Sequence, residues 1–136
     1  MLMISRFSHA EVLYFECTVG VEFGALGKGT FSLEQQNELS KMLSGQVNHA
    51  VDLESRVWEM WWVKNGVADY SSKPERIVYT DLVIAQHEIF VMTAPNTKMK
   101  ISRTDLSFEE HHSDSYIHRN VGSCEIKENP EVERVF

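Results

Sequence analysis

The stretch Arg56-Val-Trp-Glu-Met-Trp-Trp-Val-Lys-Asn-Gly66 decides the fold class, because it fits either a strand or a helix. Its aromatic side chains and the Asn65-Gly66 pair are typical of a strand that enters a tight hairpin turn. A helix ended by Asn-Gly is the alternative. The apolar face of that helix would hold four side chains: Leu53, Val57, Met60 and Trp61. The aromatic content favours the strand, and the strand predicts a sheet-containing domain.

Further strands are predicted on both sides of this stretch. Glu11–Phe23 is rich in Val, Tyr, Phe and Thr, which is the composition of a long strand. Later segments have the same character at hairpin spacing: Arg76–Ile84, Glu88–Thr93, Lys98–Ser102 and Gly122–Lys127. Segments that follow one another at this spacing predict an antiparallel sheet.

Two segments predict helices. Ser32-Leu-Glu-Gln35 fits a capping box, and Gly45 is a typical helix end, so the main helix is predicted over about 32–44. Ser107-Phe-Glu-Glu110 resembles a second capping box and predicts a short helix over about 108–117. Together with the strands, these helices predict an α+β fold in which the main helix packs on one face of an antiparallel sheet.

Length and charge limit the classes of function. The chain has 136 residues, which predicts one globular domain over 1–136. The net charge of −7 argues against direct nucleic-acid binding, which needs clustered Lys and Arg, and against docking on an anionic membrane. A positively charged groove of another protein is the compatible partner.

The sequence predicts a cytoplasmic protein. No segment approaches the roughly 20 apolar residues that span a bilayer, and the first residues lack the apolar core of a signal peptide. Cys17 and Cys124 are far apart and show no zinc-type spacing. We expect two free thiols in a reducing compartment rather than a disulfide.

A glycine-rich segment, Gly24-Ala-Leu-Gly-Lys-Gly-Thr30, lies between the first strand and the main helix, which is the usual place of a phosphate-binding loop. The motif GxxxxGK[ST] is absent, because Glu22 occupies the position of its first glycine and Gly29 that of its Ser or Thr. The spacing also fails the dinucleotide fingerprint. We therefore expect a flexible loop.

The segment Glu109–His118 holds the densest set of potential metal ligands. On the predicted helix, Glu110, Asp114 and His118 would share one face at i, i+4 steps, with His111 near that face. Imidazole and carboxylate together suit zinc, manganese or iron. A solvated polar segment is the alternative, and the absence of an HExxH motif favours it.

All three tryptophans lie in Trp58-Glu-Met-Trp-Trp62. On a strand, Trp58, Met60 and Trp62 face one side, while Trp61 faces the other. Trp and Met are frequent at protein interfaces, so this segment is the predicted partner-binding site, including Glu59. The alternative is that the domain itself covers both faces, and general burial preferences favour this alternative.

These features favour a non-enzymatic protein-binding module without a cofactor over an enzyme. We expect an inhibitor or adaptor that acts on a larger, basic, nucleic-acid-handling protein, by analogy with small accessory proteins of phages and mobile elements. Exposed strand edges favour a homo-oligomer. The alternative is a small metal-dependent hydrolase that uses Glu110, His111, Asp114 and His118.

Overall fold

One antiparallel sheet makes up most of the structure. The computed structural model describes residues 12–66, 68–70, 74–111 and 117–127. Within these ranges the strands are β1 (Val12–Phe23), β2 (Gly45–Asp52), β3 (Val57–Asn65), β4 (Ala68–Asp69), β5 (Arg76–Tyr79), β6 (Val83–Ile84), β7 (Glu88–Ala94), β8 (Thr97–Ser102), β9 (Ser107–His111) and β10 (Ile117–Lys127). The predicted antiparallel sheet is present, and the α+β class is compatible with a structure that has more sheet than expected.

The strands follow an up-and-down order. β1, β2 and β3 pair in sequence, β7 to β10 do the same, and β10 pairs with β1 so that the two halves join. β3 also pairs with β4 and β5, while β6 pairs with β7. β5 lies beside β7, at the opposite end of the strand order. The sheet therefore curls until one of its faces encloses the core.

The core consists of alternate residues of these strands. Because successive side chains of a strand point to opposite faces, each strand sends every second residue inward. Val47, His49 and Val51 of β2 show the pattern, and all three are almost fully buried. Residues of seven strands, together with Leu82, form one apolar cluster. This arrangement places Trp58 and Met60 inside the sheet.

The helices lie between β1 and β2. Helix α2 (Leu33–Leu43) has the predicted capping box, with Ser32 and Gln35 satisfying each other's backbone amides. This helix contacts β1, but none of its residues is fully buried. The glycine-rich segment, which was predicted to be a loop, instead forms the short helix α1 (Ala25–Thr30). The flexible-loop prediction is therefore wrong.

The prediction of a short helix over about 108–117 is also wrong for the part of that range that the structure describes. Residues 107–111 form β9, which hydrogen-bonds to β8 on one side and β10 on the other. The capping-box sequence contains only one apolar residue, Phe108. This residue lies on β9, and its side chain is buried in the core. Two ladders of backbone hydrogen bonds outweigh the local helix signal. Residues 112–116 lie outside the described residues.

Cys17 and Cys124 form a disulfide, so the prediction of two free thiols is wrong. The two residues are 107 apart in sequence but are register partners on β1 and β10. Both side chains are buried in the core. The bond therefore ties together the two strands whose pairing joins the halves of the sheet.

Among the described residues, neither helix is long and apolar enough to cross a membrane.

Candidate functional site

The tryptophan-rich segment lies on β3, as the sequence predicts, and its inner face belongs to the core. Trp58 is fully buried and Met60 is nearly so. Trp62 points to the same face and packs against the core, but it is only partly buried. Of these three predicted contact residues, only Trp62 therefore offers appreciable surface to a partner.

The outer face of the same strand carries a second aromatic side chain that is already covered. Trp61 is only 6% exposed. The guanidinium carbon of Arg76 lies 4.1 Å from the centroid of the Trp61 ring, and Arg76 also forms an ion pair with Glu59. The chain's own arginine thus occupies the face where Glu59 and Trp61 were predicted to meet a partner.

A cavity of about 410 Å³ opens beside Trp62. We call it the Trp62 cavity, and it is lined by Trp62, Asn65, Tyr70, Glu75 and Ile77. Trp62 and Asn65 come from the end of β3, and Ile77 comes from the neighbouring strand β5. Cavities that hold small ligands or anchoring side chains commonly measure about 300–1,000 Å³, so this one has a useful size.

Three of the residues that line the Trp62 cavity are polar: Asn65, Tyr70 and Glu75. Asn65 Oδ1 is buried and has no hydrogen-bond partner among the residues that the structure describes. Glu75 contributes an exposed carboxylate and Tyr70 a phenolic hydroxyl. An unpaired buried acceptor of this kind costs about 1–3 kcal/mol of folding stability.

Exposed apolar side chains surround this cavity. Tyr70 is 43% exposed and Ile77 is 41% exposed, although each lines the cavity. The C-terminal end of α2 lies against Gly66, whose amide donates to the carbonyl oxygen of Ser44. Met42, next to that contact, is 64% exposed. The cavity therefore combines aromatic and aliphatic surface with a carboxylate, and Met42 exposes further apolar surface at the end of α2.

The predicted metal ligands are not brought together where the structure describes them. Glu110 is the register partner of buried Met99 and so faces the interior, whereas His111 follows it and faces outward. His111 Nε2 lies 3.1 Å from Glu109 Oε1 on that outer face. Asp114 lies outside the described residues, and the side chain of His118 is not described. Within the described chain, no group of three or more His, Cys, Asp and Glu side chains could hold a metal.

The interior position of Glu110 has electrostatic consequences for its neighbours. Thr93 Oγ1 donates a hydrogen bond of 2.9 Å to Glu110 Oε2. Burial raises the pKa of Tyr79, and the negative charge of Glu110 raises it further. Tyr79 therefore stays protonated at neutral pH and can act only as a neutral hydrogen-bonding group.

His49 is a core residue that sequence reasoning treated as isolated. Its side chain is fully buried, and its Nδ1 accepts a hydrogen bond of 2.8 Å from the indole Nε1 of Trp58. Nε2 has no partner among the described residues. Burial lowers the pKa of His49 to about 3, so the ring is neutral in the folded protein.

We expect acid to destabilise the protein through His49. The unfolded chain binds a proton below the ordinary pKa of about 6.5, whereas folded His49 stays neutral down to about 3. Stability is therefore lost as pH falls through this window, by about 1.4 kcal/mol per pH unit and about 2 kcal/mol by pH 5. Urea unfolding of the wild type and His49→Gln at pH 7 and pH 5 measures the effect.

His49→Gln keeps an acceptor for Trp58 and removes the titration, so its stability should change much less between the two pH values. His87→Gln is the matched control, because His87 is exposed. Equal pH dependence of the wild type and His49→Gln would contradict the assignment.

Four lining residues of the cavity were not predicted from the sequence: Asn65, Tyr70, Glu75 and Ile77. A partial signal was present, because the Asn65-Gly66 hairpin brings the chain after the turn back against β3. The pairing of Arg76–Tyr79 with β3 had no such signal, and this pairing places Ile77 beside Met60.

Comparison of the chain with protein-family models, with curated proteins and with solved structures found no match.

Proposed function

We propose that this protein is a non-enzymatic protein-binding module, and that the Trp62 cavity with its apolar rim is the contact surface. The observation that supports this most is the cavity itself, in which exposed aromatic and aliphatic surface lies beside a carboxylate. Binding energy at interfaces concentrates in aromatic side chains at cavities of this kind. Of the three tryptophans in the predicted segment, only Trp62 is proposed to contact the partner. The other two are buried and stabilise the domain by packing.

Two features favour a protein partner over a free small molecule. Tyr70 and Ile77 expose apolar surface at the cavity, and a small ligand inside the cavity would leave much of this surface in water. A protein partner would bury it, with a gain of about 25 cal/mol for each Å² of apolar area. Aromatic residues are also among the residue types enriched at such interfaces.

Charge favours a basic partner. The net charge of −7 attracts a positively charged surface at long range, and Glu75 supplies a negative group at the cavity. An inhibitor or adaptor that occupies the basic groove of a nucleic-acid-handling protein fits this charge. The analogy with accessory proteins of phages and mobile elements and a homo-oligomeric state belong to the same proposal. The cytoplasmic location expected from the sequence does not, because the Cys17–Cys124 disulfide favours an oxidising compartment. Among the described residues, nothing favours the metal-dependent hydrolase.

The test uses a peptide array that contains basic, neutral and acidic peptides of equal length and matched apolar content. We expect the wild-type protein to retain basic peptides, and retention to weaken as salt rises, because the Debye length is only about 10 Å at 0.1 M. Trp62→Ala should weaken the best peptide about thirtyfold or more, since truncating a central interface aromatic costs about 2 kcal/mol or more. Fluorescence anisotropy of labelled peptides measures the change.

Ile126→Ala is the matched control. Ile126 is 56% exposed and lines a different cavity, with Leu13 and Leu53, away from the Trp62 cavity. This variant should bind like the wild type. The proposal is wrong if basic peptides are not retained, or if Trp62→Ala folds and binds them unchanged.

A further inference from the structure

We infer that a second cavity, at the other end of the curled sheet, binds a small aliphatic carboxylate with its hydrocarbon tail inside. This site goes beyond the proposed function, because it does not involve the Trp62 cavity. Its volume is about 140 Å³. We call it the Leu13 cavity, and it is lined by Leu13, Phe15, Leu53, Ile89, Ile101, Ser102, Arg103, Leu106 and Ile126.

The register of the strands separates the Leu13 cavity from Trp62 and from the helices. Leu13, near the start of β1, is the register partner of Val51, whose partner on β3 is Trp58. Trp62 lies four residues further along β3. The helices join the far end of β1 to the start of β2. The cavity therefore opens at the end of the sheet away from the helices, and ligand sites are common at the open ends of curled antiparallel sheets.

The Leu13 cavity leads from the protein surface into the core. Arg103 and Ile126, which line it, are exposed. Phe15 and Ile89, which also line it, are each only 4% exposed, and Ile101 is 1% exposed. A ligand that enters from the solvent would therefore place its leading end against core side chains and leave its other end near the surface.

The lining requires the inner end of the ligand to be apolar. Seven of the nine lining residues are apolar, and the hydroxyl of Ser102 is already hydrogen-bonded to Thr104 and to the amide of Asp105. A polar group inside would lose its hydrogen bonds to water without replacement. Cavities of about 150 Å³ that are lined by Leu, Ile and Phe stay dry and take up a six-carbon ring. The Leu13 cavity thus fits a hydrocarbon tail of about six carbon atoms.

Arg103 favours a negatively charged head group at the outer end of the ligand. It is the only charged residue of the lining, and its Nη1 donates a hydrogen bond of 2.7 Å to the carbonyl oxygen of Ala85. Within the described chain, Arg103 forms no ion pair with a carboxylate. A guanidinium group has five N–H donors, so others remain for a ligand. Because Arg103 is exposed, the head group stays hydrated and no charge has to be buried.

Leu106 lines the same cavity from a strained position. Its φ is 59°, in the left-handed region that favours glycine. Its amide donates to the carbonyl oxygen of Ser102, and its own carbonyl accepts from the amide of Cys124. These hydrogen bonds hold the leucine in a conformation that is more frequent at functional sites. Leu106→Gly would relieve the strain and remove four carbons from the wall, which makes it a suitable variant for changing the size of the cavity.

The first experiment measures how affinity depends on tail length. Saturated carboxylates with tails of about two to ten carbon atoms are added to the full chain, and NMR follows the methyl groups of Ile89 and Ile101. Each added methylene should tighten binding about fourfold while it enters the cavity, and the gain should stop at about six carbons. In Leu106→Gly the gain should continue to longer tails.

The second experiment varies the head group on the best tail. We expect the carboxylate to bind about two- to fivefold more tightly than the alcohol, which is the usual contribution of an exposed charge pair, and the amine to bind more weakly than the alcohol. Arg103→Gln should remove the preference for the carboxylate. Lys28→Gln is the matched control, because it removes the same charge from an exposed position on α1 and should keep the preference.

Three results would overturn the inference. The first is that no carboxylate shifts the methyl signals of Ile89 and Ile101. The second is an affinity that keeps rising with tail length, or a limit that is the same in Leu106→Gly, since neither depends on the size of the cavity. The third is a carboxylate that binds no better than the alcohol, or whose preference survives Arg103→Gln.

Discussion

Reduction of the Cys17–Cys124 disulfide is expected to lower the free energy of unfolding by about 2–4 kcal/mol. The two cysteines are 107 residues apart in a chain of 136, so the bond restricts most of the unfolded chain. The chain-entropy estimate for a loop of about 100 residues reaches about 4.7 kcal/mol, which makes this one of the largest effects that we expect. The melting temperature should fall by roughly 10 °C or more, as measured by thermal unfolding with and without a reductant.

The double variant Cys17→Ala with Cys124→Ala serves as the control, because a reductant should not change its melting temperature. Equal melting temperatures for oxidised and reduced wild type would contradict the assigned bond. Disulfides persist mainly in oxidising compartments, so a measured stabilisation would also count against the cytoplasmic location expected from the sequence.

Trp58→Ala is expected to cost about 3–5 kcal/mol of stability, which is a large share of the roughly 5–15 kcal/mol of a typical domain. Trp58 is fully buried, and its replacement leaves a large space in the core. It also removes the only donor to Nδ1 of His49 among the described residues, which leaves a second unpaired atom on a buried ring. Urea unfolding of the variant, followed by circular dichroism, measures the loss.

Trp62→Ala is the matched comparison on the same face of β3. Trp62 is only partly buried, so its truncation should cost clearly less stability than that of Trp58. This difference allows binding to be tested in a folded Trp62 variant. Equal destabilisation by the two substitutions would mean that Trp62 belongs to the core and is not available to a partner.

The strands that were predicted correctly are those with an uninterrupted apolar or aromatic pattern. β1 and β3 carry such a pattern over nine or more residues, and β3 ends at the expected Asn65-Gly66 turn. The strand Gly45–Asp52 was not predicted, because its inward positions include His49, a polar residue in a core position. The hydrogen bond from Trp58, which the pairing of β2 with β3 brings beside His49, explains why a histidine can be buried there.

The candidate site could be predicted only in part. The position of all three tryptophans in one short stretch indicated which segment holds the site. The alternation of side chains along a strand placed Trp61 on the opposite face from Trp58 and Trp62. Which tryptophan keeps exposed surface depends on Arg76, which covers Trp61, and on β5, which stops short of covering Trp62. The disulfide had no local signal either, since it depends on the pairing of the first and last strands.

The most direct test of the central claim is the location of a bound basic peptide on the protein. Backbone amide chemical shifts of ¹⁵N-labelled protein would be followed by NMR as the best basic peptide from the array is added. We predict that the largest shifts fall on the residues that line the Trp62 cavity, and that they vanish in Trp62→Ala. Shifts centred elsewhere, or the same shifts in folded Trp62→Ala, would contradict the proposed binding face.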